Sequence, residues 1–153
     1  MISLGCAKNL VDAEVMMGSL LKQGFEITNE NAEADALIVN TCSFIDAAQE
    51  ESVDTILEST EFRENTNTGQ AVIVSGCLSQ RYRKELPKLM PEVDAFMGID
   101  QVEQVGDIVR KAVDNRESRL GQAEEKPNND ETKRAVAELV ADDESEKPAT
   151  PGK

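Results

Sequence analysis

The sequence predicts an α/β fold, a small doubly wound parallel sheet of about five strands flanked by helices. Two short runs carry this expectation. A-L-I-V-N at 36–40 and A-V-I-V-S at 71–75 are continuously apolar and rich in β-branched residues, as strands covered on both faces are. Longer segments with apolar residues at helical spacing lie between and beyond them, so strands alternate with helices. In such a sheet the crossovers are right-handed, and ligands bind beyond the carboxyl ends of the strands, where strand order reverses.

Taken in order, residues 1–4 read as the end of an unusually short first strand. Residues 9–23 form a helix with Leu10, Val11, Val15, Leu20 and Leu21 on its apolar side, and Gly24 stops it. Residues 25–28 read as a short strand and 36–40 as a buried one. A helix follows from Ala47 to about Glu64, with Val53, Ile56 and Leu57 inward, and then a polar turn at 66–70. Residues 71–75 are the second buried strand. A helix over 79–86 is expected to end at Pro87, and 95–98 is a last short strand. Asp100, with Glu103 three residues on, predicts a capping box for a helix carrying Val102, Val105, Ile108, Val109 and Ala112.

Composition shifts near Asn115. Residues 1–115 read as one domain. Residues 116–153 have no aromatic side chain, are rich in Glu, Lys, Asn, Asp and Pro, and read as a low-complexity acidic tail, mostly disordered. Within it, 130–141 forms at most a weak helix through Val136, Leu139 and Val140, because three apolar residues cannot hold a helix alone.

The 153 residues carry 16 basic and 30 acidic side chains, a net charge of −14, which argues against direct nucleic-acid binding by this chain. No apolar run reaches the roughly 18 residues of a membrane span, and no secretory signal is visible, so a cytoplasmic location is expected. The chain contains no His, which removes imidazole catalysis and His-ligated metal sites.

Three cysteines remain, an odd number without an export signal, so a disulfide framework is not expected. The plain alternative is that they are small core residues. Their positions argue otherwise. Cys6 follows the first strand by two residues, Cys42 follows 36–40 by two, and Cys77 follows 71–75 by two. In a parallel sheet those ends share one edge, and each cysteine precedes a helix whose N-terminus favours thiolate. The gaps of 36 and 35 residues are unlike the short cysteine pairs of structural zinc sites. An iron–sulfur cluster accepts thiolates readily, and a four-iron cluster with three of them leaves one iron open. The first turn, L-G-C-A-K-N, lacks the glycine pattern of a dinucleotide site.

The segments around the cysteines are S-L-G-C-A-K-N-L-V-D at 3–12, N-T-C-S-F-I-D-A-A at 40–48 and S-G-C-L-S-Q-R-Y at 75–82. Together they resemble the N-terminal domain of the radical-SAM methylthiotransferases over about residues 1–113. A-K-N-L-V-D, S-F-I-D-A-A and P-E-V-D-A-F-M-G at 91–98 resemble the RimO branch, which methylthiolates an aspartate of small-subunit ribosomal protein twelve. The tRNA-modifying branch is similar but usually differs after the first two cysteines.

The resemblance implies that Cys6, Cys42 and Cys77 hold an auxiliary 4Fe–4S cluster whose open iron carries the sulfur unit delivered to substrate. It also implies a second 4Fe–4S cluster and S-adenosylmethionine, both in a radical-SAM domain with a C-x-x-x-C-x-x-C motif. That motif and the family's C-terminal β domain are absent from these 153 residues. The expectation is an isolated or truncated first domain, inactive alone and without catalytic residues of its own. The alternatives are a tRNA methylthiotransferase domain or a non-catalytic α/β fragment with vestigial cysteines. Lys8, Asn9, Asn40, Thr41, Ser79 and Gln80 flank the cysteines as a second layer of hydrogen-bond donors, or as ordinary caps. Asp12 and Asp46 fit early helix turns. Arg81, Arg83 and Lys84 form a small basic cluster, and Met16, Met17, Met90 and Met97 fit packing.

Overall fold

The computed structural model of the chain describes residues 2–4, 7–28, 30–41, 46–119 and 129–146. Four strands, β1 (Ile2–Ser3), β2 (Ala36–Thr41), β3 (Ala71–Gly76) and β4 (Ala95–Met97), form one parallel sheet in that order. Among the described residues six α-helices accompany it: α1 (Ala7–Lys22), α2 (Asp46–Thr66), α3 (Cys77–Arg81), α4 (Leu86–Leu89), α5 (Val105–Arg119) and α6 (Asn129–Glu146). The α/β class and the parallel sheet match the sequence expectation.

Alternation along the strands builds a core on each face. Val39 and Val74 face Ile56 and Leu57 of α2, Leu78 of α3 and Leu86 of α4. Ile38, Ile73 and Met97 face Met16 and Leu20 of α1 and Val105, Val109 and Ala112 of α5. Every residue of β3 is buried, which explains why its sequence shows no polar alternation.

Several boundaries differ from the sequence reading. The sheet has four strands among the described residues, not about five. Residues 25–28 make no strand pairing there; the N–H of Phe25 instead donates to the Leu20 carbonyl at 3.0 Å and closes α1. In α1 the buried face is Ala13, Met16 and Leu20, while Leu10, Val11, Val15 and Leu21 are exposed. Leu20, expected inward, is buried, but the other four of that side are not; the helix is apolar on two sides, and periodicity alone does not separate them. Pro87 does not end a helix but sits in the first turn of α4, where its missing N–H costs nothing. The Gly98 N–H donates to Gln101 Oε1 at 3.0 Å, in place of a box between Asp100 and Glu103. The chain here starts with a 3₁₀ turn, Ile99–Gln104, before α5.

The expected tail also contains structure. α5 continues through Asn115 to Arg119, and Arg116 is buried. Residues 129–146, read as mostly disordered, form the 18-residue helix α6. Its Val136 is buried in the core cluster with α2 and α4, Leu139 packs against the same cluster, and Lys133 Nζ lies 3.0 Å from Asp54 Oδ1. Val136 and Leu139 dock on a preformed face instead of stabilising a helix alone.

The amino edge of the sheet is pinned by ions. Asp94 accepts from the Val72 N–H at 2.8 Å, from Arg63 Nη1 at 2.9 Å and from Arg119 Nη1 at 3.2 Å. Arg63 Nη1 also donates to the Glu92 carbonyl at 2.9 Å, and Arg116 Nε to the Thr68 carbonyl at 2.8 Å. The side chains of Arg63 and Asp94 are fully buried. Burial pushes the Asp94 carboxyl up from its ordinary range, against the opposing pull of the Val72 N–H and of Arg63, Arg116 and Arg119.

Candidate metal centre

All four strands run the same way, so their carboxyl ends form one rim. Ser3, Asn40, Ser75 and Met97 lie side by side in register, and Thr41 pairs with Gly76. The Leu4 N–H donates to the Asn40 carbonyl at 2.9 Å. The segments leading to all three cysteines are thereby brought to neighbouring positions on the rim.

Cys77 follows Gly76 directly, opens α3 and is half-buried. Cys42 follows Thr41, and Cys6 stands two residues beyond Leu4. Both lie outside the described residues, so the described part of the site is its Cys77 side and the strand ends beneath.

A buried polar layer supports that side. The Thr41 hydroxyl donates to the Ser75 carbonyl at 2.6 Å, and the Ser75 hydroxyl to Asn40 Oδ1 at 3.4 Å. Asn40, Thr41, Ser75 and Ser79 are all buried. The first bond is short and the second long, and both, in a low-dielectric setting, hold the ends of β2 and β3 against each other.

Gly76 is the tightest point. Its φ of 96° and ψ of −161° fall in a region essentially reserved for glycine. A Cβ there overlaps the Thr41 carbonyl oxygen and comes within 2.7 Å of Asn40 Oδ1 and 2.9 Å of the Thr41 nitrogen. The glycine lets β3 turn into α3 while its backbone stays against β2; Gly76 directly precedes Cys77, and its partner Thr41 directly precedes Cys42. The S-G-C motif carried this signal, although sequence reading assigned the glycine no role.

At the end of β4, Arg83 Nη2 donates to Gln80 Oε1 at 2.8 Å and to Asp100 Oδ1 at 2.8 Å, beside Gly98. Arg83 from the small basic cluster is therefore ion-paired, and Arg81 lies 5.6 Å from the Tyr82 ring centroid. Lys8 and Asn9 fall in the first turn of α1 and Asp46 opens α2; their side chains are outside the described residues. Asp12 is half-buried on α1. Met16, Met90 and Met97 are core residues and Met17 is half-buried. Among the described residues no three Cys, Asp or Glu side chains gather as a metal site.

The family model described as "Uncharacterized protein family UPF0004" matches residues 1–98, which include all three cysteines and the whole sheet. The chain belongs to UPF0004. Its curated relatives include proteins named "Ribosomal protein uS12 methylthiotransferase RimO". The protein of that name from Akkermansia muciniphila is 53% identical over 116 residues, covering 74% of this chain and 26% of the relative. That from Pelobacter propionicus is 53% identical over 109 residues, covering 71% and 24%. That from Caldicellulosiruptor saccharolyticus is 44% identical over 126 residues, covering 82% and 28%. This UPF0004 chain is thus a RimO-like domain that spans about a quarter of the length of the relatives it matches. No described helix is long and apolar enough to cross a membrane.

Proposed function

We propose that residues 1–115 are the auxiliary cluster-binding domain of a RimO-like methylthiotransferase, with Cys6, Cys42 and Cys77 as the ligands of a 4Fe–4S cluster. The observation that carries this reading is the register of the parallel sheet. Adjacent strands are about 4.8 Å apart, so the ends of β1, β2 and β3 span roughly 10 Å. Each intervening residue adds at most about 3.6 Å of reach. Cysteines one residue beyond the ends of β2 and β3 and three beyond that of β1 are within reach of one small inorganic group, and the half-buried Cys77 suits a ligand that keeps one side open.

When bound, the cluster supplies an iron without a protein ligand, available to an exogenous sulfur donor. The chain's own residues do the rest. The cysteines hold the cluster as thiolates. The buried Asn40–Ser75–Thr41 layer keeps water from the floor of the site and fixes the ligand-bearing segments. Gly76 keeps the β3–α3 turn against β2.

The relatives are named for ribosomal protein uS12, and we take that protein, the small-subunit protein twelve, as the substrate of the complete enzyme, at the aspartate that the family resemblance implies. S-adenosylmethionine and a second 4Fe–4S cluster belong to a radical-SAM domain, which together with a C-terminal β domain is the partner of this one. The reaction takes place in the cytoplasm. These 153 residues alone bind the cluster and do not carry out the transfer.

Anaerobic reconstitution with iron and sulfide tests the reading. The chain is expected to take up about four irons and four sulfides per molecule and to turn brown. Cys77→Ala and Cys42→Ala are each expected to abolish stable incorporation while leaving far-UV circular dichroism unchanged. Equal iron content in both variants and the parent overturns the assignment.

A further inference from the structure

α6 stands apart from the rest of the fold. The sheet and all three cysteine segments lie within residues 1–98, which the family model matches, and α6 lies beyond them at Asn129–Glu146. It meets the domain through one narrow stripe. Thr132 and Val136 are buried, Ala135 and Leu139 are half-buried, and the residues between them are exposed. The spacing is i, i+3, i+4, i+7, a single face of a helix.

The receiving face is built from α2 and α4. Val136 enters the buried cluster that holds Val53 and Leu57 of α2 and Leu86 of α4, and Leu139 packs against it. Beside the stripe Lys133 Nζ lies 3.0 Å from Asp54 Oδ1, with both side chains about half exposed. Glu58 stands one turn further along α2 and is exposed, so the α2 side of the seam is acidic. The described hold on this 18-residue helix rests chiefly on two aliphatic side chains and one solvent-exposed ion pair, and such a pair adds little. A helix seated by i, i+3, i+4 and i+7 anchors on a face made by two other helices is the helix-in-groove mode of recognition.

We propose that the α2–α4 face is a helix-acceptor site, that α6 is its tethered ligand, and that a free amphipathic helix of the same chemistry displaces it. The partner carries aliphatic residues at the positions of Val136 and Leu139 and a cation at that of Lys133, facing Asp54. Thr132 and Ala135 let α6 lie close to its bed, so the partner needs small residues at those two positions as well. Residues 120–128 connect α6 to α5. A connection this short holds the helix at an effective concentration of about 1 mM, so α6 prevails over any free helix well below that level. The site is closed by default, and it opens to a helix that binds better than α6 or is itself locally concentrated.

The test places a specific protease site within residues 120–128 of the full chain and follows a fluorescent peptide of residues 129–146 by anisotropy, before and after cleavage. Cleavage replaces the effective concentration of about 1 mM by the chain's own concentration of about 10 μM, so the midpoint for the labelled peptide is expected to fall roughly tenfold or more. A peptide with Val136→Asp is expected to bind at least about tenfold more weakly. One with Lys133→Glu is expected to lose only about two- to threefold, because that pair is solvent-exposed. Far-UV circular dichroism of the cut chain is expected to keep the signal of the sheet. Equal midpoints before and after cleavage, no binding to either form, or a Val136→Asp peptide that binds as the parent does overturns the proposal. So does unfolding of the sheet on cleavage, which makes α6 a part of the core and not a ligand.

Discussion

Gly76→Ala is the sharpest perturbation of the rim. The backbone at this position sits at φ 96° and ψ −161°, where a non-glycine residue costs about 1–3 kcal/mol in strain. The new methyl adds overlap with the Thr41 carbonyl and close approach to Asn40 Oδ1 at 2.7 Å. Both neighbours are buried and hydrogen-bonded, so neither yields as a flexible surface side chain does. The two effects together give an expected loss of about 3 kcal/mol, a large part of the stability of a small domain. With a urea slope of roughly 1–3 kcal/mol per molar, the midpoint falls by about 1–3 M. Relief of the overlap pushes the end of β2 away from β3, and with it the strand ends that lead to Cys42 and Cys77. Iron uptake on reconstitution is therefore expected to fall even below the unfolding midpoint. A midpoint within about 0.3 M of the parent, with full iron uptake, refutes the argument that this turn requires glycine.

Other expectations concern the opposite edge and the C-terminal helix. Arg63→Ala leaves the Asp94 carboxylate buried without its nearest cation, and a loss of about 3–5 kcal/mol is expected in urea unfolding. Asp94 also sets a pH dependence. Its carboxyl is raised above the ordinary 3.8, so the folded chain keeps a proton that the unfolded chain has lost. This contribution is complete below 3.8 and disappears as pH rises through the folded value, and Asp94→Asn is expected to remove that slope from a plot of stability against pH. Val136→Asp places a charge in the core cluster under α6. A cost of about 2 kcal/mol or more is expected, with loss of α6 signal in circular dichroism.

The buried strands were legible because β2 and β3 are covered on both faces, and a continuous β-branched run has few other uses. The shared rim of the three cysteine segments followed from parallel topology alone. The buried side of α1 was legible only at Met16 and Leu20. Leu10, Val11, Val15 and Leu21 are larger than Ala13, yet the sheet leaves room on the side of Ala13, Met16 and Leu20. Volume available in the tertiary structure, not hydropathy, made that choice. The docking of α6 was hidden for a related reason, since the face it covers is assembled from α2 and α4 across a long sequence separation. Residues 25–28 have strand-like composition, but a strand needs a neighbour, and composition does not supply one. The Arg63–Asp94 pair joins positions 31 residues apart and left no local pattern.

The pinning of the amino edge by Arg63, Asp94, Arg116 and Arg119 divides labour along the strands. Among the described residues the clamp lies wholly at the amino ends of the strands, opposite the rim to which the cysteine segments lead. On the proposed function, taking up a cluster then demands a local excursion of that rim, not the melting of the whole domain.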